Sequence, residues 1–165
     1  MKWKNIAGDT SVFFVTGTVT VWQPLLMREP ARRILLADLE FYRGKYGCGI
    51  VAYVLMPEHC HLVVNLARPE DLHPWLRDVQ GHSSSEMSRW LRATAEPEGL
   101  SVYRAHANGG SKLAIWKEQA RAVPIVTERV LRIKIDYIYA NPVRRGLVAS
   151  PGDWLYSSWR NYYLD

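Results

Sequence analysis

The chain has 165 residues, 48% hydrophobic and 22% charged, which is the balance of a folded globular protein long enough for one compact core. Lys and Arg outnumber Asp and Glu by 21 to 16, and the net charge of +5 favours an anionic partner, nucleic acid being the commonest. No apolar run approaches the roughly 20 residues of a membrane span, and no apolar segment follows Met1-Lys2-Trp3-Lys4-Asn5 as a secretory signal would require, so a cytoplasmic protein without a membrane partner is expected.

Ser11 to Trp22 is rich in β-branched and aromatic residues and predicts a first strand, with Gly17 as a candidate bulge and Pro24 as the break. A helix is predicted from Pro30 to Arg43. Ile34, Leu35, Leu39 and Phe41 are its apolar residues, and Arg32, Arg33, Asp38 and Glu40 its polar ones. Pro30 suits a first helical turn, and Gly44 ends the pattern. Gly47 to Met56 predicts a second strand, whose apolar run from Ile50 implies burial on both faces. Pro57-Glu58 turns the chain into a third strand, His59 to Leu66. Cys48 and Cys60 flank this hairpin and are expected as free buried thiols.

Asp71 to about Ala95 carries one apolar stripe (Leu72, Trp75, Leu76, Val79, Met87, Trp90, Leu91) and predicts a long helix, with Gly81 to Ser85 as a candidate interruption. Pro97 to Ser111, which contains Asn108-Gly109-Gly110, reads as a loop, and Leu113 to Lys117 as a short fourth strand. Thr127 is the N-cap of a helix that runs to Asn141, because Pro142 disfavours helical geometry in the residue before it. A Pro151-Gly152 turn and an aromatic run from Trp154 to Tyr163 follow. The chain holds seven Trp and nine Tyr, most of them expected in packing and some available to stack on unpaired bases.

The order β-α-β-β-α-β-α predicts an α+β fold of the ferredoxin-like, split βαβ kind. It is an antiparallel sheet with helices on one face, plus a C-terminal helix carrying Tyr137. With no repeat or linker, one domain over residues 1–165 is expected.

Two separated segments carry the chemistry. Side chains two apart on a strand share a face, so His59 and His61 leave the third strand together while Cys60, Leu62, Val64 and Leu66 leave the other side. On the helix from Thr127, Leu131, Ile135 and Ile138 form one stripe with Tyr139 beside it, and Lys134, Tyr137 and Asn141 form another. Tyr139 is therefore the core candidate and Tyr137 the active-site candidate. If this helix packs on the histidine face, two imidazoles and a carboxamide converge. Such neutral ligands leave the full charge of a divalent cation to polarise a scissile phosphate. A His-X-His metallohydrolase acting on small molecules would want further ligands, and His73, His82 and His106 have no ligand-like spacing.

Met56-Pro57-Glu58-His59-Cys60-His61-Leu62-Val63-Val64 and Asp136-Tyr137-Ile138-Tyr139-Ala140-Asn141-Pro142-Val143-Arg144-Arg145-Gly146-Leu147-Val148 resemble the single-tyrosine HUH transposases. The REP-associated tyrosine branch is the most similar, and Asp153-Trp154 to Ser157-Ser158-Trp159 resembles it as well. The resemblance implies His59, His61 and Asn141 as ligands of Mg²⁺ or Mn²⁺ and Tyr137 as the nucleophile. It implies single-stranded or hairpin DNA as the partner, cut through a 5′-phosphotyrosine intermediate, and it fits either a monomer or a homodimer. Lys134, Arg144 and Arg145 are candidate DNA-binding residues. A domesticated hairpin-binding protein without transposition activity is the alternative. Trp116 to Arg121 departs from the more aromatic, His-containing stretch of the family, which bears on substrate details.

Overall fold

The computed structural model describes residues 10–94, 97–104, 113–117 and 120–163. The strands are β1 (Val12–Thr18), β2 (Gly49–Leu55), β3 (His59–Asn65) and β4 (Arg121–Pro124). The helices are α1 (Glu29–Lys45), α2 (Leu72–Thr94), α3 (Pro97–Arg104), α4 (Glu128–Arg144) and the short α5 (Arg160–Tyr163). The sheet is antiparallel, in the order β2-β3-β1-β4. That is the ferredoxin-like order, with the two inner strands β1 and β3 contributed by the two βαβ halves. Among the described residues no helix is long and apolar enough to cross a membrane.

The alternation of β3 divides the core. Cys60, Leu62 and Val64 point to one side, where Leu35 and Leu39 of α1 and Trp75, Leu76 and Val79 of α2 close over them. Val63 points to the other side, with Phe14, Ala52 and Val54, and meets Leu131, Ile138 and Tyr139 of α4. The sheet thus has α1 and α2 on one face and α4 on the opposite one, the face from which His59 and His61 emerge. Both cysteines are buried and free. Burial pushes the thiols up, Cys48 to about 11 and Cys60 to about 12.

The outer edges are handled differently. Residues from the C-terminal run lie along β2: Leu55 N–H donates to Tyr156 O at 2.8 Å, and Ser158 N–H to Tyr53 O at 3.0 Å. This covers an edge that would otherwise offer unpaired backbone groups. At the other edge, β4 is short and ends on Pro124, which has no N–H to present.

Several local expectations are corrected. The fourth strand is Arg121–Pro124 and not Leu113 to Lys117, of which only Trp116 forms an isolated bridge, to Val19. Leu113 and Ile115 are apolar because they fill the core, not because they pair in the sheet. Part of the expected loop from Pro97 is helix α3, which buries Leu100 and Tyr103, three apart on one face. Asn108-Gly109-Gly110, His106, Glu118, Gln119 and Met1 to Asn5 lie outside the described residues. Helix α2 runs unbroken through Gly81 to Ser85, where the buried Ser83 hydroxyl donates to Val79 O at 2.7 Å and accepts from Trp116 Nε1 at 3.0 Å. On α1, Phe41 is exposed, while Arg32 and Asp38 are buried. Asp38 is 2.8 Å from His82 Nδ1 and Arg32 donates to Leu26 O at 2.9 Å, partners that make their burial tolerable. Helix α4 continues through Pro142 to Arg144 rather than ending at Asn141. Proline this near the C-terminus leaves only the Ile138 carbonyl without its helical donor. Arg145 N–H closes the last turn onto Asn141 O at 3.1 Å.

Gly17 is not a bulge, because the β1–β3 register passes through it unbroken, Gly17 facing Cys60. The irregularity lies in β2, between Ile50 and Ala52. Gly17 is small for another reason: a Cβ there would sit 3.2 Å from Cys60 Sγ and 3.5 Å from Trp116. Gly17→Val is expected to destabilise the protein by about 1–3 kcal/mol, the usual cost of overpacking. Denaturant unfolding checks it, and an unchanged midpoint would mean that the strand has room to give.

Candidate functional site

The β1–β3 register builds the site floor. Thr16 lies opposite His61, and Thr18 opposite His59. The Thr16 hydroxyl shares a 2.9 Å hydrogen bond with His61 Nδ1. Glu58, in the turn before β3, accepts from His59 Nδ1 at 3.1 Å. A carboxylate accepts and does not donate, so Nδ1 of His59 carries the proton. On both rings Nε2 is left as the nitrogen available to the groove. The ring centroids are 4.7 Å apart.

Helix α4 supplies the opposite wall. Thr127 caps it, its hydroxyl accepting from Val130 N–H at 3.2 Å. Its helical phase sends Tyr139 into the core, 6% exposed and 3.1 Å from the Ser158 hydroxyl, while Tyr137 stays 37% exposed. The Tyr137 ring stands edge-on to His61, with centroids 5.2 Å apart, and to Phe14 at 5.9 Å. Phe14 itself stacks on His61 at 5.2 Å. Asn141, one turn on from Tyr137, is 6% exposed.

These residues line one open groove of about 350 Å³, formed by Thr16, Thr18, Trp22, His59, His61, Tyr137, Asn141, Arg144 and Arg145. The sequence-derived candidates His59, His61, Tyr137 and Asn141 are thereby brought together. Arg144 reaches over Tyr137, with Cζ 5.7 Å from the ring. Arg145 pairs with Glu58 Oε1 at 2.8 Å. Lys134 stands outside the groove lining, its Nζ 4.5 Å from the Phe14 ring centroid.

The electrostatics keep the imidazoles neutral. Burial holds His61 down to about 3, reinforced by neighbouring His59 and Lys134. Burial also lowers His59, opposed by Glu58 and then abetted by Arg145. Tyr139 moves the other way, pushed up to about 12 by burial, which suits a core phenol and not a nucleophile.

The donor set fits a divalent cation in kind. Two neutral imidazoles have their Nδ1 atoms engaged, and Asn141 adds a buried carboxamide to the same groove. Among the described residues no three His, Cys, Asp or Glu side chains cluster to hold a metal.

Sequence reasoning missed four contributors, Glu58, Thr16, Thr18 and Trp22. Glu58 was legible only as the residue before His59, and Thr16 and Thr18 become part of the site only through strand register. Trp22 gave no local signal, since it read as the end of a strand.

No family model matches the chain. Two curated proteins are similar to it. One, from Haemophilus influenzae and provisionally named a REP-associated tyrosine transposase, is 28% identical over 108 residues, covering 66% of this chain and 57% of that protein. The REP-associated tyrosine transposase of Escherichia coli K12 is 28% identical over 109 residues, 66% of this chain and 53% of its own length. The alignments thus span little more than half of each curated relative. Among solved structures, a REP-associated tyrosine transposase bound to a REP hairpin aligns over 98% of this chain and 84% of its own, with a TM-score of 0.69 at 20% identity. A Deinococcus radiodurans protein provisionally described as a transposase aligns over 84% of this chain and 95% of its own, with a TM-score of 0.51 at 19% identity. The structures share the fold. The two curated relatives carry the name REP-associated tyrosine transposase, and this chain is similar to them at 28% identity.

Proposed function

We propose that this relative of the REP-associated tyrosine transposases is a DNA strand transferase that cuts single-stranded DNA beside a hairpin, with Tyr137 as its nucleophile. The observation that carries the reading is the meeting of Tyr137 and Asn141 with His59 and His61 in one groove walled by Arg144 and Arg145.

In this mechanism the Tyr137 hydroxyl oxygen attacks the scissile phosphorus and loses its proton. A 5′-phosphotyrosine forms, and the bond to the other deoxyribose breaks to release a 3′-hydroxyl. The phosphotyrosine keeps the energy of the broken ester, so rejoining to a new 3′-hydroxyl needs no nucleotide cofactor. His59, His61 and Asn141 would hold Mg²⁺ or Mn²⁺, which when bound supplies positive charge at the phosphate and favours the phenolate. Phe14 and His61 fix the plane of the Tyr137 ring, and Arg144 above it offers a bidentate fork to a phosphate. Arg145 neutralises Glu58 while Glu58 orients His59.

Glu58 is therefore a positioning residue. Glu58→Gln should lower cleavage roughly 10- to 100-fold, as loss of a carboxylate behind a ligand histidine does, with hairpin binding kept. The ¹⁵N shifts of the His59 ring should report a mixture of tautomers in place of one. A single unchanged tautomer would remove Glu58 from the mechanism.

The test of the reading is incubation with end-labelled single-stranded DNA carrying a REP-like hairpin, in Mn²⁺. A protein–DNA adduct that survives denaturation is expected. Hairpin binding with no adduct in Mn²⁺, nor when Mg²⁺ replaces it, would favour the binding protein without transposition activity.

A further inference from the structure

We infer that Trp22 is a stacking platform for an unpaired base of the strand that enters the groove. The inference rests on the strand-transferase reading and names a subsite within it.

The first observation is strain. Val21 and Trp22 both have positive φ, 46° and 55°. Two consecutive non-glycine residues in the left-handed region are rare, one of them β-branched and the other bulky, and such backbone costs of order 1–3 kcal/mol per residue. The strain gives no burial in return, because Trp22 is 56% exposed and Val21 38%. An indole displayed to solvent by a strained turn is not explained by packing.

The second observation is how firmly the turn is held. Val19 N–H donates to Glu58 O at 2.8 Å, Leu26 N–H to Pro57 O at 2.9 Å, and Thr20 N–H to Ile115 O at 2.9 Å. Arg32 of α1 donates to Leu26 O at 2.9 Å and also to Met27 O. Val19, Thr20, Leu25 and Leu26 are buried. The turn is thus joined to Pro57 and Glu58, the residues just before His59. Strained conformations persist where the surroundings over-determine them, and they cluster at ligand clamps.

The third observation is position. Trp22 lines the groove with Tyr137 and His59, its ring 6.0 Å from that of His59 at an interplanar angle of 70°. Arg144 and Arg145 lie on the same groove. An aromatic face beside cations is the pattern of single-strand binding, in which the backbone follows the charges and a base stacks on the ring. A base inside a duplex has both faces covered by its neighbours, whereas an unpaired base is free to give a face to Trp22. The subsite is therefore assigned to a nucleotide of the single strand next to the bond that Tyr137 attacks, not to one inside the hairpin stem.

The test measures binding of the full chain to a fluorescent oligothymidylate of about 10 nucleotides, within the range that one single-strand site covers. Trp22→Ala should weaken binding roughly 5- to 100-fold, the size of base-stacking losses on alanine substitution. Trp22→Phe should keep most of the affinity. Trp22→Leu, apolar but without a π face, should fall with alanine. A single strand carrying 2-aminopurine should be quenched by wild type and by Trp22→Phe, and not by Trp22→Ala. Wild-type affinity in Trp22→Ala overturns the platform alone. Equal affinity in the Leu and Phe variants reduces it to a non-specific apolar contact and also overturns it. A wild-type chain that leaves the oligonucleotide unbound sinks the single-strand reading beneath it.

Discussion

Tyr137→Phe is expected to leave no covalent protein–DNA adduct and no cleavage, with folding and hairpin binding intact. One hydroxyl is lost from a ring that is 37% exposed, and its edge contacts with His61 and Phe14 do not depend on that oxygen. Tyr139 is the internal control. Tyr139→Phe should keep the adduct and lose only the hydrogen bond to Ser158, about 0.5–1.5 kcal/mol of stability. Tyr139→Ala should cost roughly 3–5 kcal/mol, since the ring lies in the core between α4 and the sheet. Peptide mapping of the trapped adduct decides between them. A nucleotide recovered on Tyr139, or on a tyrosine of the C-terminal aromatic run, would refute the assignment.

His59→Ala and His61→Ala should each abolish cleavage while hairpin binding stays close to wild type, because phosphate and base contacts elsewhere hold the DNA. The loss should be total, since no other residue of the groove lining carries an imidazole or a carboxylate. Asn141→Ala should weaken the use of the cation less severely. Circular dichroism separates this from unfolding, which matters most for His61, whose ring is stacked on Phe14. Full cleavage by the double histidine variant in the presence of a chelator would overturn the metal assignment. Loss of hairpin binding in parallel with cleavage would mean that the histidines hold the structure of the groove rather than its chemistry.

What the sequence by itself determined is what repeats locally. The period of two along a strand put His59 and His61 on one face and Cys60 on the other, and the structure has them so. The helical period separated Tyr137 from Tyr139 and set Asn141 one turn on. Thr127 capped the helix as its side chain demands. The alternation of strands and helices was enough for the ferredoxin-like order, although the fourth strand was assigned to the wrong segment. Leu113 and Ile115 are as apolar as strand residues because a core accepts apolar side chains from any backbone shape. Arg121–Pro124 pairs as an edge strand with mostly exposed side chains, and so lacks the pattern that would announce it.

Only the tertiary structure decided that the tyrosine face and the histidine face meet. That depends on which side of the sheet α4 covers, and no local period encodes a side. Strand register, set over a separation of 45 residues, placed Thr16 against His61. The packing of α4 on the sheet placed Arg145, at its C-terminal end, on Glu58, which in turn holds His59. Arg32 and Asp38 went inside and Phe41 outside because buried polar groups are tolerated when partners await them: the Leu26 carbonyl and the distant Tyr156 ring for Arg32, and the distant His82 for Asp38. The turn at Val21 and Trp22 adopts a conformation that its own residues disfavour, held by hydrogen bonds to Pro57 and Glu58, which the β1–β3 register brings alongside from a distant part of the chain. Local propensity sets how each segment folds. Long-range contacts, whose energy outweighs one or two residues of backbone strain, set what those segments build together.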